Sequence, residues 1–230
     1  FFRQNNIFLM QTLEYLKIRK VDGILADLGV SSHQLDKKNR GFSFHPGYKL
    51  DMRMNQNQNL DAIQVINNYS ESELSNLFYL NGDLKNSKKI AKIICKEREN
   101  KKITMSNDLN YVLESFFSVN TKNSFLARVY QSIRIEVNKE LKFLKEILTQ
   151  SKNLLSKNGI ISVITYHSAE DRLVKRFFKN GCFDQEPVKD EFGNFSKPFK
   201  LKFHFLKPKE SELKFNTRSR SAKLRSAIKL

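Results

Sequence analysis

Val21-Asp22-Gly23-Ile24-Leu25-Ala26-Asp27-Leu28-Gly29-Val30-Ser31-Ser32 is the stretch that decides the fold. Val21, Ile24, Leu25 and Leu28 read as a short buried strand. An acid stands at its carboxyl end, followed by glycine and a pair of serines. In an open parallel sheet, ligands bind just beyond the carboxyl ends of the strands, so Asp27 is where a site residue is expected. A plain strand end followed by a turn gives the same local pattern, and the pattern alone does not separate the two.

Outward from this strand, Leu9, Leu13 and Leu16 recur at helical spacing and predict a helix over 7–18. Residues 29–57 are polar and irregular, and read as a long loop over a site. Residues 60–135 read as helices only. Ser70 and Glu73 form a capping box. Stripes at Leu74, Leu77 and Phe78, at Ile90, Ile93 and Ile94, and at Leu109, Val112, Leu113, Phe116 and Phe117 are core faces of amphipathic helices rather than cofactor contacts. The α/β pattern resumes with a helix lined by Val137, Leu141, Leu144 and Leu148 and ended by Lys157-Asn158-Gly159. A buried strand follows over Ile160–Tyr166, then a helix capped by Ser168, and strands over 199–206 and 222–228. The expected domains are 1–57 and 136–230, forming one α/β domain, with 58–135 as a helical insertion.

The 230 residues suffice for one large domain or two small ones. A formal charge of +17 favours a polyanionic partner. Richness in Lys, Asn and Ile, with 8 Gly, 4 Pro and no Trp, is also what an AT-rich genome imposes, so charge supports RNA without establishing it. Cys95 and Cys182 stand apart, with no CxxC and no neighbouring histidine; neither a metal site nor a disulfide framework follows, and a reducing cytoplasm fits. No apolar run approaches the ~18 residues of a membrane span, and no signal peptide is visible.

Further words follow in order: Gln34-Leu35-Asp36, Arg40-Gly41-Phe42-Ser43-Phe44, Leu50-Asp51-Met52-Arg53-Met54, Tyr130–Asn138, His167-Ser168-Ala169-Glu170-Asp171-Arg172 and Asn216–Arg225. This ordered set closely resembles the bacterial 16S ribosomal RNA cytosine-N4 methyltransferases of the MraW type, over nearly the whole chain. The resemblance implies a Rossmann-like methyltransferase sheet with an inserted all-helical domain for substrate recognition. It implies S-adenosylmethionine as cofactor and a cytosine near the decoding centre of 16S rRNA, within the small ribosomal subunit, as substrate. Family members begin with a strand, a glycine-rich loop and a ribose-binding acid, none of which is found here. The first strands of the sheet are therefore expected to be missing, and the chain to be the later part of a longer protein.

By the resemblance, Asp27 and Gln34 contact S-adenosylmethionine. The exocyclic amine of cytosine is a poor nucleophile, because its lone pair is delocalised into the ring. Catalysis must hold it in line with the methyl group and accept its hydrogens as positive charge develops. No covalent enzyme intermediate is needed, which suits a chain without a convincing Cys or Ser nucleophile. Asp27 and His167 are the candidate catalytic residues; His167 stands at the carboxyl end of a strand beside the site. Ser168, Glu170 and Asp171 are explained equally by helix capping. Ser31 and Ser32 either shape the loop between cofactor and base or serve as turn residues.

Arg40 and Arg53, near Phe42 and Phe44, could grip and stack unpaired bases, or the loop could pack its own phenylalanines. Arg134, Asn138 and Arg172 could line a cleft, and Arg134 equally fits a helix surface. Arg218 and Arg220, with Lys223 and Arg225, are candidate phosphate contacts, although half of a strand must point outward in any case. The family pattern has Asp where this chain has Asn55, and Leu where it has Ala169. A non-catalytic basic RNA- or ribosome-binding remnant, lacking the cofactor half, is the alternative reading.

Overall fold

The computed structural model describes residues 8–183, 191 and 197–230. In chain order the elements are α1 (Leu9–Tyr15), β1 (Val21–Asp27), α2 (Ser32–Asp36), α3 (Ala62–Asn68), α4 (Glu71–Gly82), α5 (Ser87–Asn100), α6 (Ser106–Val112), α7 (Lys122–Asn138), α8 (Glu140–Leu154), β2 (Leu155–Thr165), α9 (Ser168–Asn180), β3 (Phe199–Leu201), α10 (Glu210–Phe215) and β4 (Lys223–Lys229). The chain divides into two compact units, 1–29 with 141–230, and Val30–Glu140.

The first unit is a mixed α/β layer with strand order β1-β2-β4-β3. β1 pairs parallel to β2, while β4 runs antiparallel to both β2 and β3. The predicted strand over 21–28 forms as β1, but it is not buried as expected: it is an edge strand of the described sheet, Val21, Ile24 and Ala26 are half-buried and Leu25 is exposed. The helix expected at 7–18 forms over Leu9–Tyr15; its predicted first residue, Ile7, lies outside the described residues. Alternate β2 residues Ile161 and Val163 are fully buried, with Leu148 of α8 and Val174, Phe177 and Phe178 of α9 in the same core. Phe199 of β3 lies 5.7 and 5.8 Å from the rings of Phe177 and Phe178.

β2 starts earlier than predicted. Lys157-Asn158-Gly159 does not end a helix; it is a bulge inside the strand, where the register jumps from Val21↔Leu155 to Gly23↔Ile160. Asn158 takes φ +66°, and a Cβ on Gly159 would sit 2.9 Å from the Ser156 carbonyl oxygen, so the turn needs a residue without one. The strand expected over 199–206 is shorter, with Leu206 forming only an isolated bridge to Leu224.

The second unit is helical. Its core holds Leu74, Leu77 and Phe78 of α4, Ile90 and Ile94 of α5 and Leu109 of α6, from the stripes read from the sequence, together with Ile133 of α7. The Ser70–Glu73 capping box forms as predicted. Residues 30–57 are not a free loop: they carry α2, a 3-10 turn at Lys38–Arg40 and a bridge from Lys49 to Met105, and they bury Phe42, Leu50 and Met52 in this helical core. The helix assigned to Val137 and Leu141–Leu148 is two helices. Lys139 adopts φ +51° and separates α7 from α8.

Candidate functional site

β1 and β2 end together at one edge of the sheet. Asp27 stands opposite Ile164, and the Leu28 N–H donates to the Ile164 carbonyl at 3.2 Å. Two residues further on, Tyr166 therefore arrives beside Asp27, and its hydroxyl donates to Asp27 Oδ1 at 3.0 Å. Burial, then the hydrogen bond and negative charge of Asp27, and the charges of Glu170 and Glu212, push the Tyr166 hydroxyl up to about 12. It thus stays protonated, and a donor, at neutral pH. Asp27 is exposed, so one carboxylate oxygen is held by Tyr166 while the other can meet a ligand. Gly29 turns the chain away with φ +92°.

α9 begins immediately after this edge. Its N-cap is His167, not Ser168: His167 Nδ1 accepts from the Glu170 N–H at 3.4 Å. An Nδ1 that accepts leaves the ring proton on Nε2. Nε2 lies 3.1 Å from Glu170 Oε1, at an angle that makes no hydrogen bond. The His167 side chain is only 6% exposed. Glu170 Oε2 in turn accepts from the Tyr166 N–H at 2.9 Å. His167 and Glu170 therefore clamp the turn that carries Tyr166, and Tyr166 holds Asp27.

One turn along α9, buried Asp171 receives a two-pronged grip from Arg225 of β4: Nε to Oδ1 at 2.7 Å and Nη2 to Oδ2 at 3.1 Å. Lys223 adds a contact at 3.2 Å. Burial alone would raise the Asp171 carboxyl, but the hydrogen bonds and charges of Arg225 and Lys223 outweigh it and hold it below the usual range. Arg225, 3% exposed, also donates to the His204 carbonyl at 2.6 Å. Its expected phosphate contact is thereby corrected: the guanidinium is buried and structural. Arg218 and Arg220 lie exposed on the 3-10 turn before β4.

In the second unit, Gln34 closes a capping box at the start of α2. Its Oε1 accepts from the Ser31 N–H at 2.9 Å, and its own N–H reaches Ser31 Oγ at 3.3 Å; what it offers a ligand is its NH2 end. Ser31 is thus a cap, as the turn reading expected. Arg53 forks onto Asp51, Nε to Oδ1 at 3.0 Å and Nη2 to Oδ2 at 2.8 Å, and donates to the Gln58 carbonyl. Burial raises the Asp51 carboxyl, but its bonds to Arg53 and the Arg53 and Arg40 charges bring it down overall. Arg40 donates to the Arg53 and Met54 carbonyls and lies over the Phe42 ring at 5.7 Å.

Phe42 is buried, and Phe44 meets Tyr130 edge-on at 6.1 Å, so the loop packs its own phenylalanines. Asn138 bonds the Met52 and Arg134 carbonyls and the Met54 N–H. Arg134 forks onto Glu140. These cations and amides organise the second unit.

Tyr166 and Glu170 as partners in the site were not read from the sequence. The only signal for Tyr166 was its place at a strand end, one residue before the histidine singled out there.

The family model for the MraW methylase family matches residues 1–230. A protein named ribosomal RNA small subunit methyltransferase H from Flavobacterium psychrophilum is 50% identical over 227 residues, covering 99% of this chain and 78% of that protein. Proteins of the same name from Christiangramia forsetii and Bacteroides fragilis are 48% and 45% identical, covering 99% and 100% of this chain and 75% and 76% of theirs. With a match over its full length and near-half identity to these relatives, the chain belongs to the MraW methylase family and is a methyltransferase.

Proposed function

We propose that this chain transfers a methyl group from S-adenosylmethionine to N4 of one cytosine in 16S rRNA, near the decoding centre of the small ribosomal subunit, in the cytoplasm. The observation that carries the site is the Asp27–Tyr166 pair at the carboxyl edge of β1 and β2. An exposed carboxylate fixed by a phenol at that edge fits a cofactor that is cationic and bears ribose hydroxyls, since it accepts hydrogen bonds and favours positive charge. When bound, S-adenosylmethionine supplies an electrophilic methyl on a sulfonium. The residues of this chain bind and orient: Asp27 holds the cofactor, as Gln34 does by the family resemblance, and positioning of the amine lowers the barrier. His167 serves the substrate side through Tyr166, whose turn it clamps with Glu170.

Arg40, Arg53, Arg218 and Arg220 are the proposed RNA-facing cations. Residues 1–57 and 136–230 are read as methyltransferase domain and 58–135 as the recognition insertion, with 30–57 packed into the helical unit. Further strands of a Rossmann-like sheet would add at the open edge of β1, where Leu25 is 72% exposed. No helix among the described residues is long and apolar enough to cross a membrane.

The test is calorimetry of S-adenosylmethionine binding to the full-length protein. Asp27→Ala should weaken it by about 1–3 kcal/mol, as for loss of a hydrogen bond to a charged group. Unchanged affinity would refute the assignment.

A further inference from the structure

A cavity of about 410 Å³ lies between the carboxyl end of β2, the start of β4 and α10. Its size falls within the ~300–1,000 Å³ of small-molecule sites. Tyr166 lines it, with a hydroxyl tied to Asp27, so the ring is held in place. Leu224 adds an apolar wall. Glu212 and Asn216 line another side, and their side chains have no hydrogen-bond partner among the described residues. Lys207 and Lys209, both exposed, are also among the lining residues.

These groups match the parts of one nucleotide. An aromatic face takes an unstacked base. A carboxylate accepts from the exocyclic amine of cytosine, whereas uracil would turn an oxygen toward it. The Asn216 amide can donate to the ring nitrogen or carbonyl, and two lysines suit a phosphate. We infer that this cavity seats an unstacked cytosine nucleotide of the RNA substrate, base against Tyr166 and amine toward Glu212, with the phosphate at Lys207 and Lys209. The inference rests on the proposed RNA-methylating function and adds a nucleotide site to it.

The test uses cytidine 5′-monophosphate as probe, followed by saturation-transfer NMR on the full-length protein. The nucleotide should bind, with uridine 5′-monophosphate about tenfold weaker. Ser211→Trp, at an exposed position lining the cavity, should weaken binding at least tenfold by filling it. The chain has no other tryptophan, so a blue-shifted indole emission reports that the plug is seated. Glu212→Gln, which adds no bulk, should reduce the cytosine preference to below threefold.

Unaltered binding with a seated indole, or an unchanged preference in Glu212→Gln, would overturn the inference. In methyl-transfer assays the seated plug should abolish kcat if the cavity takes the target base, or raise KM with kcat kept if it takes a flanking nucleotide. Cofactor affinity separates the two levels of the argument. Retained S-adenosylmethionine binding with a failed nucleotide test removes the cavity assignment alone, whereas absence of cofactor binding in the wild-type protein removes the proposed function itself.

Discussion

Asp171→Ala is expected to cost the first unit much of its stability. The substitution leaves Arg225, 3% exposed, without its carboxylate. Removing one member of a buried ion pair costs about 3–5 kcal/mol. The lower end applies here, because Arg225 keeps its bond to the His204 carbonyl and its place 5.4 Å over the Phe205 ring. At about 2–4 °C per kcal/mol for a chain of this size, 3 kcal/mol lowers the midpoint by about 6–12 °C. Circular dichroism melts read this directly.

The pH dependence has a definite sign. Asp171 sits below the ordinary aspartate value of 3.8 in the folded protein, so its contribution is present above that pH and lost as pH falls through the lower folded value. The gap between wild type and Asp171→Asn should therefore be constant near neutrality and close only in acid. A midpoint shift below about 2 °C, or a gap that closes above pH 5, would show that the Arg225–Asp171 pair is not a buried stabilising contact.

Three further outcomes follow from the same reasoning. Gly41→Ala should destabilise the second unit strongly, since φ is +70° and the new Cβ would meet the Lys49 carbonyl oxygen and lie 2.6 Å from Asp51 N; urea unfolding measures the loss. Tyr166→Phe should weaken S-adenosylmethionine binding by about 0.5–1.5 kcal/mol, the worth of one hydrogen bond, and wild-type activity should show no Tyr166 ionisation below about pH 10, because the hydroxyl is pushed up to about 12. His167→Ala should lose about 0.5–2 kcal/mol of α9 capping, which His167→Asn restores. If the clamp on Tyr166 also serves the substrate side, Asn rescues stability while KM or kcat for the RNA stays altered; full rescue of both by Asn would leave His167 a cap only.

How much of this was legible follows from the distance between partners in the chain. The helical stripes are local, so period gave them directly: Leu74, Leu77 and Phe78 are all in the core. The apolar run gave β1 its place but not its burial, because β1 is an edge strand of the described sheet and its outer edge has no partner strand among the described residues. The α7–α8 break was hidden because a lysine, not a glycine, takes the left-handed conformation at position 139. Lys157-Asn158-Gly159 carries the chemistry of a helix end, and only the parallel register with β1 turns it into a bulge. Asp27 was found from its place at a strand end, whereas its partner Tyr166 is 139 positions away and depends on that register. The charged residues were the least readable. Arg225 looks like an RNA contact in sequence, yet it is buried against an aspartate 54 positions away, and the pairing of Arg53 with Asp51 was not read from the sequence either.

The central claim is tested most directly by the product. The full-length protein is incubated with immature small ribosomal subunits and S-adenosylmethionine labelled in its methyl group, and the rRNA is digested and analysed by mass spectrometry. The account predicts label in N4-methylcytidine at a single position of 16S rRNA, reduced in step with cofactor affinity in Asp27→Ala. Label on another base, on a ribosomal protein, or undiminished in Asp27→Ala would contradict it.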